Sequence, residues 1–335
     1  MRERRRPSRT GEGGAKGRSP LRLTSQRASF WATSRAVSAV SQPQVWTIAS
    51  LIAWAADDFR ARALDTPRLD AELLLAHALS STRIKLIIDS QRTLDADELA
   101  RFRLLVRRRR AREPVAYILG QREFYGRAFR VDARVLVPRP DTETLVLAAL
   151  DRTRHVSLSM RALDLCTGSG CVAVTLARER PTSRVVATDI SEDALAVARD
   201  NALRLGAYNV AFRQGDLFEA VDAAWRFDLV VANPPYVASG EIASLAPEIR
   251  LHEPDRALRG GDDGLDVLRR VVAAAPAHLA DAGTLAVEVG AGDAPKVAKL
   301  FEQAGFSDIE LRRDYGRIER VVIGVLRRRP SPSAR

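Results

Sequence analysis

The tetrapeptide Asn233-Pro234-Pro235-Tyr236 follows directly on the largely apolar run Phe227–Ala232. Proline has no backbone N–H and a locked φ, so it cannot continue a central strand. A plain turn is one reading. The other is that the prolines fix two acceptors, the Asn233 side-chain oxygen and a backbone carbonyl, in a set geometry. Upstream, Asp164-Leu165-Cys166-Thr167-Gly168-Ser169-Gly170 ends a second apolar run. Glycines there let the backbone approach a ligand closely, and the helix that follows offers free N–H groups. The Gly-x-Gly spacing lacks the third glycine of the dinucleotide fingerprint, and no Gly-Lys-Ser/Thr follows, which disfavours a phosphate loop. Two more runs end in acids. Asp189 closes "RVVATD" and could hold both ribose hydroxyls or cap a helix starting near Ser191. Asp216 in "QGDLF" could accept from an adenine amino group, with Leu217 and Phe218 as apolar cover. The joint pattern suits an adenosine-bearing ligand held without phosphate-binding machinery.

Those residues need a scaffold that brings them to one edge. From Arg161 onward the pattern alternates strand and helix, with strands expected at 161–166, 184–189, 209–214, 227–232, 284–289, 306–312 and 319–326, and helices at, for example, 191–204 and 264–279. Such alternation implies an α/β fold: a mostly parallel sheet covered on both faces, with its ligand site at the carboxyl ends of the strands. The last two strands have no clear helix between them and are expected to form an antiparallel edge pair. Residues 46–118 read as helical. Thr66-Pro67 is expected to open a helix as N-cap and first residue, presenting Leu69, Leu73, Leu74 and Ala76 to a core. Asp95 and Glu98 form a capping-box start for the next, whose Arg107–Arg110 run reads as a solvated helix end. Residues 123–137 alternate with a period near two and are expected as a hairpin, a connector spanning 119–140.

The chain has 335 residues, 46% hydrophobic, enough for two domains, and no run approaches a membrane helix. The cysteines, Cys166 and Cys171, and the histidines, His77, His155, His252 and His278, show no metal-ligand spacing, so no metal site is expected and the chain reads as cytoplasmic. The net charge is +11, but residues 1–45 hold ten basic and two acidic side chains and residues 327–335 four arginines, which leaves 46–326 at −1. Both basic segments are expected to be disordered. The first is also Arg- and Ser-rich like a transit peptide, which would make the location organellar.

An adenosine ligand without phosphate contacts suggests S-adenosylmethionine, and here the chain resembles a known family. "TPRLDAELLLAHAL", "REPVAYILGQREFYG", "VLVPRPDTETLV", "DLCTGSG", "NPPYV" and "RDYGRIERVVIG" together resemble the protein-(glutamine-N5) methyltransferases that act on peptide chain release factors, over roughly 46–326. The resemblance implies a Rossmann-like, seven-stranded S-adenosylmethionine-dependent methyltransferase sheet over 141–326 and a small N-terminal helical domain over 46–118 that helps recognise a protein substrate. It implies cofactor contacts from Cys166, Thr167, Gly168, Ser169, Gly170, Asp189, Asp216, Leu217 and Asn233. It assigns Asn233, Pro234, Pro235 and Tyr236 to catalysis and substrate binding, and gives Arg139, Pro140, Thr142 and Glu143 a secondary place near the methionine end of the cofactor. The implied acceptor is the glutamine of a Gly-Gly-Gln motif, and a monomer is expected.

The implied chemistry explains the tetrapeptide. An amide nitrogen is a poor nucleophile because its lone pair is delocalised into the carbonyl. Asn233 and the Pro234 carbonyl would each accept one N–H of the substrate amide, favouring a pyramidal nitrogen with its lone pair toward the methyl, while Tyr236 packs on the amide plane. Neither metal nor strong base is required. Two alternatives remain open. Cys166 in "DLCTGSGC" and the His252–Pro254 segment resemble a branch that modifies a ribosomal protein of the large subunit, whereas "PRPDTE" and "DYGRIERVV" resemble the release-factor branch. Cys166 stands where glycine is common in that branch, and its side chain is expected to point into the core. The same tetrapeptide would also serve an amino-methyltransferase of adenine N6 or guanine N2, but the nearly neutral 46–326 segment lacks the basic face a polyanion needs, so no direct nucleic-acid binding is expected.

Overall fold

A computed structural model describes residues 45–156 and 159–327. The expected disordered segments, 1–45 and 327–335, lie outside the described residues except for Val45 and Arg327, and the transit-peptide reading falls there too.

The first described elements are helices: α1 (Ile48–Ala61), α2 (Pro67–Ala78), α3 (Arg83–Ile88), α4 (Ala96–Arg110) and α5 (Val115–Leu119). In α1, Ile48, Leu51, Ile52, Ala55, Ala56 and Phe59 are buried at helical spacing, and Thr47 with Ser50 forms a capping box. The expected Asp95–Glu98 capping box opens α4. Three expectations need correction. Thr66 precedes Pro67 but makes no backbone cap; its hydroxyl donates instead to Asp70 Oδ1 at 2.7 Å. Leu69 is exposed, because the core of this segment is filled mainly by Ala71, Leu74, Leu75 and Ala78 on the opposite side of α2; Leu74 and Ala76 are buried as expected. The Arg107–Arg110 run is a solvated end only in part: Arg107, Arg108 and Arg110 are exposed, as expected, but Arg109 is not. Arg108 pairs with Glu113 and Arg110 with Asp58, while Arg109 is 5% exposed. Arg109 follows Phe102 and Val106 on the buried stripe of α4, so its guanidinium must find acids inside.

The hairpin is shorter than expected, with β1 (Gln121–Phe124) antiparallel to β2 (Arg127–Arg130). Beyond it, Asp132 turns the chain by accepting from the Arg134 and Val135 backbone N–H groups. The alternation continues only in burial: Val131, Val135 and Val137 pack with Tyr117, Ala194 and Val197.

The main sheet comprises β3 (Arg161–Leu165), β4 (Arg184–Asp189), β5 (Val210–Gln214), β6 (Phe227–Ala232), β7 (Leu279–Glu288), β8 (Phe306–Arg313) and β9 (Glu319–Leu326), in the order β5-β4-β3-β6-β7-β9-β8. Around it lie α6 (Glu143–Arg152), α7 (Cys171–Glu179), α8 (Glu192–Arg204), α9 (Pro247–His252), α10 (Asp266–His278) and α11 (Ala294–Gln303). The strands from β3 to β7 run parallel; β9 is antiparallel to both neighbours, so β8 alone is the edge of the expected pair. A bulge between Phe227 and Leu229 lets β7 begin five residues before its expected start. Apolar clusters fill both faces of the sheet, which is why β3 and β6 are apolar without alternation. Register aligns the strand ends: Leu165 pairs with Thr188 and with Ala232, Asp189 with Gln214, and Ala232 with Val287. No helix among the described residues is long and apolar enough to cross a membrane.

Candidate active site

The order β4-β3-β6 reverses direction of construction at β3, and a crevice opens at that switch point beyond the carboxyl ends. A cavity of about 290 Å³ occupies it. Its wall includes Cys166, Thr167, Gly168, Ser169, Asp189, Asp216, Leu217, Asn233 and Pro235, together with Arg139 and Thr142. Four strand ends and the segment before α6 therefore converge. Gly170, Pro234, Tyr236, Pro140 and Glu143 are not among the residues that line the cavity: Pro234 is buried, and Glu143 accepts from the Tyr125 backbone N–H at 2.8 Å.

The turn after β3 is built from left-handed residues, with Cys166 at φ 58°, Gly168 at 56° and Gly170 at 79°. A Cβ at Gly170 would sit 3.0 Å from the Ala198 Cβ, so this glycine also lets α8 close onto the turn. Cys166 is half-buried: it packs against the core cluster on one face of the sheet, as expected, and also lines the cavity. Its φ gives a physical reason why glycine would suit the position. Cys166→Gly is therefore expected to be tolerated. Cys166→Val, β-branched at positive φ, should lower unfolding free energy by about 1–2 kcal/mol in urea titrations. Equal stability of the two variants would show that the turn relaxes.

A buried acid missed by the sequence reading pins this turn. Asp164 accepts from Thr167 Oγ1 at 2.6 Å and from the Ala173 backbone at 3.1 Å, tying strand, turn and α7 together. Burial drives its pKa up to about 7 against those two bonds, with nearby Asp189 adding to the rise. Asp189 is also pushed up by burial, opposed by the Ser191 and Gly168 N–H groups and by Arg256. Its Oδ2 accepts from Gly168 and its Oδ1 from Ser191, both at 2.9 Å. Ser191, not Asp189, caps α8. The capping alternative for Asp189 is thus taken by its neighbour, and the carboxylate stays on the cavity wall. Asp216 pairs with Arg270 at 2.7 Å, a partner the sequence pattern did not reveal.

On the opposite wall, Asn233 Nδ2 donates to Thr142 Oγ1 at 3.2 Å, and no hydrogen bond to Asn233 Oδ1 forms among the described residues. Tyr236 donates its hydroxyl to Glu288 Oε1 at 3.2 Å. Burial, then the Glu288 charge, pushes the phenol up, so it remains a donor. Arg139 is held by Glu253 at 2.6 Å, and Glu253 also accepts from the Val137 backbone at 3.3 Å. The His252–Pro254 segment thereby anchors the segment that starts at Arg139. Glycines after β3, paired N–H acceptors at Asp189 and an apolar floor at Leu217 suit an adenosine-bearing cofactor. The Asn233 oxygen beside them suits a substrate N–H group.

Fold and crevice define a methyltransferase of the Rossmann-like class. A family model described as the methyltransferase small domain matches residues 139–262, and one described as the PrmC N-terminal domain matches 50–120. The release factor glutamine methyltransferase of Geobacter sulfurreducens is 43% identical, covering 84% of this chain and 98% of its own length. That of Cereibacter sphaeroides is 44% identical, covering 78% and 92%. Among solved structures, the hMettl16 catalytic domain in complex with MAT2A 3′UTR hairpin 6 superposes with a TM-score of 0.52 at 15% identity, over 66% of this chain and 82% of that one, a likeness of fold alone. The chain belongs to the release factor glutamine methyltransferase family.

Proposed function

We propose that the protein methylates the side-chain nitrogen of a glutamine in a peptide chain release factor, with S-adenosylmethionine as methyl donor, and that it works in the cytoplasm. One observation carries the reading: Asn233 stands on the cavity wall with its nitrogen tied to Thr142 and its oxygen untied. An amide oxygen in that position accepts from a substrate N–H. The Pro234 carbonyl is the second acceptor, and the prolines hold both still. When bound, the cofactor supplies an electrophilic methyl on a sulfonium. The chain's own residues align the amide and stabilise positive charge as it grows on nitrogen. Gly168, Asp189, Asp216 and Leu217 would hold the adenosine part.

A groove beside the cavity supports a protein substrate. Leu69, Leu73, Val115 and Leu119 of the helical segment face Ile249 of α9 across it, and Pro138 and Arg139 line both groove and cavity. The exposed Leu69 then has a task, which is to meet the release factor. Radiolabelled methyl transfer to purified release factor, ribosomal protein and DNA in parallel tests the reading; label in the release factor alone is expected, and label in either other acceptor overturns it.

The cofactor assignment has its own test. Asp189→Ala removes charge-assisted partners for hydroxyl groups, worth about 1.5–3 kcal/mol. Calorimetry should show S-adenosylmethionine binding weakened by about ten- to a hundredfold. Unchanged affinity in a folded variant takes Asp189 out of the site.

A further inference from the structure

Glu288, the last residue of β7, is fully buried although the chemistry above gives it no role. Its Oε1 receives the Tyr236 hydroxyl, and its Oε2 has no hydrogen-bond partner among the described residues. The Thr142 hydroxyl faces the same carboxyl without completing a hydrogen bond to it, and accepts from Asn233 Nδ2 at 3.2 Å. Three side chains from separate elements thus lead from a buried acid to the cavity wall.

A hydroxyl both donates and accepts. Thr142 alone would bond either end of the Asn233 carboxamide equally well, and the two orientations present opposite ends to a substrate. Its neighbour breaks the tie. An ionised carboxylate only accepts, so a Thr142 proton turned toward Glu288 meets an acceptor whose Oε2 has no other partner among the described residues. Thr142 then has lone pairs left for a donor, and of the two amide ends only Nδ2 is one. Asn233 Oδ1 is left to face the substrate. A protonated Glu288 offers its own proton to Thr142, which frees the Thr142 proton for Oδ1 and lets the carboxamide turn over.

We propose that Glu288 and Thr142 are positioning residues that set the Asn233 carboxamide with its oxygen toward the substrate amide, a setting lost when Glu288 takes up a proton. The proposal rests on the glutamine-amide reading above and adds to it a pH dependence. Burial is the main influence on Glu288 and drives its pKa up to about 7, while the Thr142 and Tyr236 hydroxyls and Arg320 of β9 oppose the rise and Asp141, just before α6, adds to it. Arg320 is shared with Asp314 at 3.1 Å and Asp141 at 3.4 Å. Cys171 of α7 also feels the Glu288 charge, but burial keeps that thiol neutral. The ionised form is the competent one. The chemical rate should therefore climb as pH rises through the Glu288 value and fall below it.

Single-turnover methylation of release factor at saturating S-adenosylmethionine, followed across mildly acidic to mildly alkaline pH, reads the effect. Thr142→Val keeps the shape and removes the hydroxyl; at saturating cofactor it should slow transfer by about tenfold or more. Thr142→Ser should restore most of the rate. Glu288→Gln should abolish the rising limb. A second readout needs no substrate. In protein with isotope-labelled asparagine, the Asn233 side-chain amide signals, assigned by their loss in Asn233→Ala, should titrate near neutral pH and stop doing so in Glu288→Gln. A full rate in Thr142→Val, a Thr142→Ser as slow as the Val variant, or an amide signal that ignores pH in the wild type overturns the proposal. A wild type that labels no release factor sinks the functional reading instead, and the amide titration still decides this one.

Discussion

Asn233→Ala should lower methyl transfer about a hundredfold while leaving the protein folded and able to bind S-adenosylmethionine, a loss on the order of 3 kcal/mol for one preorganised polar group. The acceptor matters most as the substrate nitrogen turns pyramidal and gains charge, so the loss falls on turnover more than on binding. The surroundings make such a variant informative. Asn233 follows a strand whose last four residues are fully buried, and the only hydrogen bond of its side chain among the described residues is the one to Thr142, so truncation leaves the core intact. Asn233→Asp is the harder test. It keeps an acceptor but adds a charge beside Thr142 and replaces the Nδ2 donor, so partial activity is expected. Single-turnover kinetics at saturating cofactor separate chemistry from binding. If Asn233→Ala keeps more than about a tenth of the wild-type rate, a loss under roughly 1.4 kcal/mol, the two-acceptor mechanism fails and the tetrapeptide is only a turn.

Much of this site was legible because its chemistry sits where strands stop. Glycine at a positive φ, proline after a strand and an acid closing an apolar run each break a local pattern, and the parallel sheet brings such breaks to one edge. Residues that act from inside the pattern were harder to see. Asp164 and Glu288 are single acids in apolar strands, "RALDL" and "TLAVE", and a lone carboxylate there is a signal in itself, since an acid inside a core must serve something. What the sequence could not supply was the partner. Nothing in the spacing links Glu288 to Tyr236, Asp216 to Arg270 or Arg139 to Glu253, because each pair meets only through the packing of distant elements. The same holds for α2. Helical periodicity placed Leu69 on an apolar stripe, but which side of that stripe meets the core depends on neighbours the periodicity does not contain.

Arg109 shows the strongest effect of this kind, and its removal should cost more stability than any substitution on the surface of the helical segment. Its Nε donates to Asp70 Oδ2 at 2.7 Å, and its Nη1 reaches both the Glu113 carbonyl at 3.2 Å and Glu248 of α9 at 3.1 Å. The Arg109 and Asp70 side chains are 6% and 4% exposed. One planar guanidinium thus joins α2, α4 and α9. Arg109→Ala leaves Asp70 buried with only the Thr66 hydroxyl, and breaking one side of such a pair typically costs about 3–5 kcal/mol. Arg109→Lys keeps the charge but not the fork, so an intermediate loss is expected. The double change Asp70→Leu with Arg109→Met removes both charges and should be less destabilising than Arg109→Ala alone, the mark of an uncompensated charge. Acid should act at the same joint. Burial pushes Glu248 up, but its backbone N–H, Arg112 and Arg109 outweigh that and hold it below the usual carboxyl range. Its contribution is therefore complete above the ordinary glutamate value and is lost as pH falls through the lowered one. Urea titrations followed by circular dichroism read all three variants. Since α2 and α9 also form the two sides of the groove next to the cavity, Arg109→Lys should raise the KM for release factor while leaving S-adenosylmethionine affinity unchanged. An Arg109→Ala variant within about 1 kcal/mol of wild type would mean that water, not the guanidinium, satisfies Asp70.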